Sequence, residues 1–132
     1  MVDVTLDPLH LPDSVLEFLR ERHLATLTTL RRDGSPHVVP VGFSYDPDTA
    51  IVRVITFAGS QKTLNAARGG RAAVSQVDGG RWLTLEGSVS LTSDVEEVRR
   101  AVAGYAARYH EPKDRPDRVA IEIRVDRILG RA

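Results

Sequence analysis

The first three extended segments of the sequence are joined by connections that are too short to contain a helix. They span residues 24–31, 36–45 and 50–57, and an Asp-Gly turn and an Asp-Pro turn separate them. Parallel neighbours in a sheet need a crossover of about a dozen residues or more, so these segments can pair only as antiparallel strands. The sequence therefore predicts a β-meander and excludes a doubly wound parallel sheet.

Further strands and helices are predicted downstream and upstream of this meander. The strands are those at residues 71–77, 81–91 and 119–125, and the helices are those at residues 13–22, at residues 61–68 and from Ser93 onward. Apolar and polar residues alternate along the last two strands, as expected when one face is buried. Ser14 with Glu17, and Ser93 with Glu96, have the spacing of a capping box at a helix start.

Six predicted strands with helices inserted between them favour a mainly β fold, a six-stranded antiparallel barrel. The length of 132 residues suits one domain, which we expect to span residues 1–132. Closing the sheet would remove its exposed edges. A barrel of this size has little room inside for a ligand, so the sequence predicts a site on the outer wall, covered by a second protomer.

Composition excludes several classes of function. The chain has 18 basic and 18 acidic residues, so it lacks the positive surface expected for binding nucleic acid or an anionic membrane. It contains no cysteine, and its four histidines lack metal-ligand spacing, so no metal site is predicted. No apolar run approaches the roughly 20 residues of a membrane span, and residues 1–4 do not resemble a secretory signal. We therefore expect a cytoplasmic protein.

The segment from Thr56 to Lys62 is the first candidate for a binding site. It leads from a predicted strand into a predicted helix, where free backbone amides attract anions. Ser60 can cap the helix or donate its hydroxyl, and Lys62 supplies a positive charge one turn into the helix. This pattern suits a phosphate group. The alternative is a capped helix with a solvated lysine.

Two further segments could contact a flat ring. Pro40 interrupts the ladder of its strand, so Val38, Val39, Pro40 and Val41 could form an apolar wall beside free backbone groups. The alternative is an irregular core strand. Arg81 and Trp82 open a strand, and these residue types can hold an anion and stack on a ring. Trp82 is equally suited to anchor the core or a dimer interface.

Three motifs, taken in order, resemble the pyridoxamine 5′-phosphate oxidase-like split β-barrels, an FMN-binding type of fold. They are the hairpin from Ala25 to Val41, the pattern Thr56-x-x-x-Ser60-x-Lys62-x-x-Asn65, and the strand Arg81-Trp82-Leu83-Thr84-Leu85-Glu86-Gly87. The similarity runs from about residue 13 to residue 130. Gln61 stands where those oxidases often have arginine. The Gly-Ser-Gln-Lys and Arg-Trp-Leu variants look most like the branch that uses the deazaflavin coenzyme F420.

The resemblance implies a homodimer with cofactor sites at its interface. Thr56, Ser60, Gln61 and Lys62 would then hold the cofactor phosphate, and residues 38–41 would line the ring. Arg81 and Trp82 would come from the other protomer or cover the site.

The resemblance also implies hydride transfer from reduced F420 to a conjugated small molecule, such as biliverdin or a related tetrapyrrole. Reduced F420 is an obligate hydride donor, so the protein need only orient its ring against the substrate. No catalytic residue stands out, although His37 lies near the predicted ring wall. Two alternatives remain open: an FMN-dependent oxidoreductase of the same fold, and a non-catalytic module that binds a flavin or haem-like ligand.

Overall fold

The computed structural model describes residues 5–132, so the sequence-based expectation for residues 1–4 lies outside it. The strands are β1 (Thr5–Leu6), β2 (Ala25–Leu30), β3 (Pro36–Val41), β4 (Ser44–Asp46), β5 (Ile51–Phe57), β6 (Arg71–Asp78), β7 (Arg81–Thr92) and β8 (Arg118–Arg131). The helices are α1 (Asp13–Arg20), α2 (Gln61–Ala67) and α3 (Val95–Arg108). None of these helices is long and apolar enough to cross a membrane.

One antiparallel sheet contains all eight strands. Seven follow the order β3-β2-β6-β7-β8-β5-β4, and β1 pairs with β8. The two strands at the ends of this order, β3 and β4, are separated in sequence by Gly42 and Phe43 alone. The sheet therefore rolls up until its ends meet without pairing, which makes a split barrel. The mainly β, antiparallel prediction is confirmed, but the structure has eight strands where the sequence predicted six.

One of the two additional strands arises because the strand predicted over residues 36–45 is divided into β3 and β4. The division is caused by side chains at the end of α3 that contact Phe43. The backbone N–H of Phe43 donates to the Tyr109 hydroxyl at 3.2 Å, and its carbonyl accepts from Arg108 at 2.8 Å. A Cβ atom at Gly42 would lie 3.0 Å from the Tyr109 ring, so a larger residue would have to displace the tyrosine. Side chains thus replace the ladder partners of Phe43, and β3 and β4 separate. The short β1 was not predicted at all.

The helix starts differ from two of the three sequence-based expectations. Helix α1 begins after Pro12 with no side-chain cap, so the predicted Ser14 capping box is wrong. In α3 the cap is Asp94, whose carboxylate accepts from the Glu97 N–H at 3.1 Å, one residue later than the predicted pair. The expected cap of α2 is present, because Ser60 accepts from Thr63 N–H at 3.3 Å.

The last strand, β8, continues six residues beyond the alternating stretch seen in the sequence because a β-bulge resets its alternation. Glu86 pairs with Arg127 and Gly87 with Val125, which leaves Asp126 as the extra residue. Val125 and Ile128 are therefore both buried although they are three residues apart. A side chain at Gly87 would collide with the carbonyl oxygen of Arg124, so the close approach of β7 and β8 at the bulge requires glycine at this position.

A cluster of charged side chains connects α3 to β4, β5 and β8. The guanidinium of Arg53 is buried and lies 3.4 Å from Asp46, 3.9 Å from Glu97 and 3.5 Å from Glu122. Burial of Glu122, together with its hydrogen bond and repulsion from Glu97, raises the pKa of the Glu122 carboxyl above its usual range. Three carboxylates share one buried cation, so the cluster holds more negative charge than Arg53 neutralises.

We expect Glu122→Gln to raise the melting temperature by a few °C near neutral pH. A carboxyl group whose pKa is higher in the folded chain than in the unfolded chain costs stability as the pH rises through that interval. Glutamine stays neutral, so the gain should shrink on acidification, when Glu122 itself is protonated. Thermal unfolding from about pH 4 to about pH 8 measures this. Exposed Glu17→Gln is the control, and an equal gain at every pH would contradict the assignment.

Candidate functional site

A cleft of about 350 Å³ opens at the split in the barrel, between the end of β3 and the end of β5. Helix α3 and the loop that follows it form the opposite wall. Its lining residues are Pro40, Val41, Gly42, Val54, Ile55, Thr56, Phe57, Lys62, Tyr105, His110, Pro112, Lys113, Arg115 and Arg118. We call this space the barrel cleft. It brings together Pro40, Val41, Thr56 and Lys62, four of the residues that the sequence selected.

Four cations surround the barrel cleft: Lys62 from α2, and Lys113, Arg115 and Arg118 from the loop and the start of β8. Phe57 lies between two of them, because the Arg115 guanidinium stacks 4.3 Å from its ring and the Lys62 Nζ lies 5.6 Å away. Arg118 donates to the Lys113 carbonyl, which holds the loop against the barrel. Arg115 donates to the Asp117 carboxylate at 2.8 Å and 2.9 Å, whereas Lys62, Lys113 and Arg118 form no ion pair within residues 5–132. These three charges favour an anionic ligand.

The hydroxyl of Thr56 supplies an independent sign of a ligand in the barrel cleft. Thr56 is only 6% exposed, and within residues 5–132 its Oγ1 has no hydrogen-bond partner. A buried hydroxyl without a partner costs free energy, roughly 1–3 kcal/mol. A ligand oxygen placed beside the four cations would satisfy it.

Ser60 and Gln61 are less available than the sequence suggested. The Ser60 hydroxyl accepts from Thr63 N–H and also lies 2.6 Å from the Thr63 hydroxyl, while Gln61 donates to Asn65 at 2.8 Å. Helix α2 has only seven residues. An anion in the barrel cleft would therefore meet side-chain cations and Thr56 more than the start of α2.

The four wall residues of β3 are divided between two faces. Successive side chains of a strand point to opposite sides, so Val38 and Pro40 face outward while Val39 and Val41 face the barrel interior. Val38 is 55% exposed, whereas Val41 is buried. A ring resting on the outer face of β3 could contact Val38 and Pro40 but not the other two side chains.

Arg81 and Trp82 are the first two residues of β7 and do not line the barrel cleft of their own chain. Arg81 donates to Glu21 at 2.9 Å and 3.1 Å and to Asp78 at 2.6 Å. The two bonds from Arg81 to Glu21, with a lesser contribution from His23, lower the pKa of Glu21 to about 2. Glu21, His23 and Asp78 are also close enough to form a metal-ligand set, but the guanidinium of Arg81 already binds two of them.

Sequence reasoning missed His110 and the three loop cations. His110 lies in the barrel cleft with its ring edge against Tyr105, 5.6 Å between centroids, and its Nδ1 lies 3.1 Å from the Glu111 carbonyl. His37, which the sequence placed near the ring wall, does not line the cleft. The available signal was the run Lys113–Arg118, which holds three of the chain's basic residues in six positions.

Comparison with known proteins identifies the family. A family model described as pyridoxamine 5′-phosphate oxidase matches residues 11–132. The chain is 58% identical over 122 residues to the F420H(2)-dependent biliverdin reductase of Mycobacterium tuberculosis (strain CDC 1551 / Oshkosh), covering 92% of this chain and 89% of the relative.

Solved structures give the same fold. A conserved hypothetical protein from Mycobacterium tuberculosis aligns with a TM-score of 0.76 at 21% identity, covering 94% of this chain and 87% of the other. An F420 reductase aligns with a TM-score of 0.72 at 25% identity, covering 89% of this chain and 98% of the other. With the family model covering nearly the whole chain, this protein belongs to the pyridoxamine 5′-phosphate oxidase family.

Proposed function

We propose that this protein is an F420H2-dependent reductase that acts on biliverdin or a related conjugated tetrapyrrole. The observation that carries the proposal is the 58% identity, over 92% of the chain, to an F420H(2)-dependent biliverdin reductase. The F420 reductase among the structural neighbours supports the choice of cofactor. The cationic barrel cleft supports a cofactor that carries a phosphate.

The residues of the barrel cleft fit F420. Lys62, Arg115 and the Thr56 hydroxyl would hold the phosphate, and Lys113 and Arg118 would meet the acidic tail beyond it. These loop cations would supply the positive charge that the related oxidases often obtain from an arginine at the position of Gln61. Val38 and Pro40 would support the ring on the outer face of β3, and F420, once bound, supplies a hydride.

The protein's own contribution is to position the two reactants and to deliver a proton. Hydride and proton together complete the reduction of one substrate double bond. His110 and Tyr105 are the proton-bearing groups of the barrel cleft other than the cations and Thr56. The proton would come from one of them or from solvent. The ring centroids of Tyr105 and Tyr109 are 4.9 Å apart, and this packing holds the Tyr105 ring in place at one side of the barrel cleft.

We further propose that the protein is a homodimer. Apolar side chains are exposed on the outer face of the sheet on either side of β2: Val38 on β3 and Val77 on β6, at 55% and 67%, with Trp82 paired to Val77 across the ladder. Such a patch on a small domain favours burial against a second copy. Dimerisation would also place Arg81 and Trp82 near the barrel cleft of the other protomer, whereas they do not line the barrel cleft of their own chain.

If the protein is a homodimer, light scattering should give a mass twice that of one chain. Val77→Asp places a charge in the centre of the proposed contact and should shift the protein to monomer. A natural protein that is monomeric and still binds its cofactor would contradict the dimer, because an outer-wall site would then need no second protomer.

The test of function offers the purified protein F420 and FMN separately. We expect tight binding of F420, and loss of F420H2 absorbance when biliverdin is added. Binding of FMN alone would favour the FMN-dependent alternative. Tight binding of F420 without turnover of biliverdin would contradict a reductase of tetrapyrroles and favour a binding module.

A further inference from the structure

An ion pair stands at the edge of the barrel cleft. Arg115, which lines the cleft, donates from Nε and Nη2 to the two carboxylate oxygens of Asp117, at 2.8 Å and 2.9 Å. The hydrogen bonds from Arg115 lower the pKa of the Asp117 carboxyl below its usual range, so Asp117 is ionised at neutral pH. The pair therefore brings guanidinium donors to the cleft without a net charge.

Other contacts hold both members of this pair in place. The Arg115 guanidinium stacks 4.3 Å from the centroid of the Phe57 ring. The backbone carbonyl of Asp117 accepts from the Ala58 N–H at 3.0 Å, and Ala58 directly follows β5. Neither contact uses the Asp117 carboxylate. Removal of the carboxylate charge would therefore leave Arg115 at the cleft with its own charge uncompensated.

The Phe57 ring marks the part of the cleft where that charge acts. The Lys62 Nζ lies 5.6 Å from the same ring centroid, and the residue before Phe57 is Thr56, whose buried hydroxyl has no partner among residues 5–132. The two cations that contact this ring are thus Lys62, whose charge is free within those residues, and Arg115, whose charge Asp117 cancels. Together these three side chains carry one net positive charge.

A single positive charge distinguishes between the two cofactors that this fold could bind. The phosphate of F420 is a diester with one negative charge, and the molecule continues beyond it to an acidic tail. The phosphate of FMN is a terminal monoester, which has nearly two negative charges at neutral pH. One net positive charge balances the diester but not the monoester. Lys113 and Arg118, the other cations of the cleft, would meet the F420 tail, which FMN lacks.

We propose that Asp117 is a specificity-determining residue, which favours F420 over FMN by cancelling the charge of Arg115 beside the phosphate. The inference rests on the proposed function and adds to it the residue that selects the cofactor. Asp117 does not itself line the barrel cleft, so it acts on the ligand through Arg115.

The decisive variant is Asp117→Asn, which removes the charge but keeps the size of the side chain and the backbone bond to Ala58. At about pH 8, where the FMN phosphate is a dianion, the dissociation constant for FMN should fall about tenfold and that for F420 about threefold. The effect on FMN is larger because the Coulomb energy doubles when the charge of the phosphate doubles. Flavin and deazaflavin fluorescence measure the two constants at one ionic strength.

Three controls isolate the ion pair. Riboflavin has the ring of FMN without its phosphate, so its dissociation constant should be the same in the natural protein and in Asp117→Asn. Asp114→Asn makes the same change of charge in the same loop, but Asp114 is exposed and the carboxylate bonded to Arg115 is that of Asp117. It should leave the preference between FMN and F420 unchanged. The double variant Arg115→Gln/Asp117→Asn is neutral, like the natural pair, and should restore the natural preference.

Two results would overturn the role of Asp117. One is an FMN affinity that does not rise in Asp117→Asn, or that rises no more than the affinity for riboflavin. The other is an equal shift of preference in Asp114→Asn, which would assign the effect to the total charge of the loop. Failure of the natural protein to bind F420 would instead contradict the proposed function, and the comparison of FMN with riboflavin would still test Asp117.

Discussion

Lys62→Ala is expected to raise the dissociation constant for F420 by about 10- to 100-fold, or roughly 1.4–2.8 kcal/mol. Lys62 and Thr56, whose buried hydroxyl has no partner among residues 5–132, both line the barrel cleft, where a bound phosphate would accept from both. The ammonium contacts only the Phe57 ring at long range, so its removal disturbs no hydrogen bond within the described chain. The loss should therefore appear in binding and not in folding.

Titration by deazaflavin fluorescence measures the effect, with thermal unfolding as the check on the fold. Lys62→Arg should keep most of the affinity, and Arg32→Ala, an exposed cation on the β2–β3 turn, should keep all of it. The variant should also lose less affinity than the natural protein when salt is added, because one charge contact is gone. Equal affinity in Lys62→Ala would show that the phosphate lies elsewhere.

The antiparallel barrel could be predicted because its constraints are local. Short connections require antiparallel pairing, and alternation in β7 places Leu83, Leu85 and Val89 in the core, as observed. The junction from Thr56 to Lys62 was found in the same way, from a strand end, a capping serine and a lysine within seven residues. Local patterns therefore located the part of the cleft that one continuous segment supplies.

The rest of the cleft depends on pairing between distant parts of the chain. Arg118 faces Phe57 in the β5–β8 ladder, and this register brings Lys113 and Arg115 to the wall of the barrel cleft. No local pattern predicts which strands become neighbours. The end of β3 was not predicted for a related reason. The strand ladder stops before Phe43 because the backbone of Phe43 bonds to the side chains of Arg108 and Tyr109, more than 60 residues away.

Arg108 is the residue through which α3 sets the geometry of the split barrel. It is buried, yet its guanidinium donates to the Glu21 carbonyl at 2.8 Å, to the Phe43 carbonyl at 2.8 Å and to the Gln76 side-chain oxygen at 2.7 Å. Burial lowers the pKa of the Arg108 guanidinium from its ordinary value, although arginine remains charged in proteins. One cation therefore joins α3 to the end of α1, to the β3–β4 break and to β6.

We expect Arg108→Met to lower the free energy of unfolding by about 3–5 kcal/mol, which is on the order of 10 °C in melting temperature. Methionine keeps the length of the side chain but removes the Arg108 donor from three acceptors, of which the Phe43 carbonyl and the Gln76 side chain are buried. Arg99→Met is the control on the same helix, where the exposed pair with Glu96 should be worth less than about 0.5 kcal/mol. Chemical unfolding of both variants makes the comparison. A loss no greater for Arg108 than for Arg99 would mean that packing of the Tyr105 and Tyr109 rings, and not the buried guanidinium, holds the split open beside the cleft.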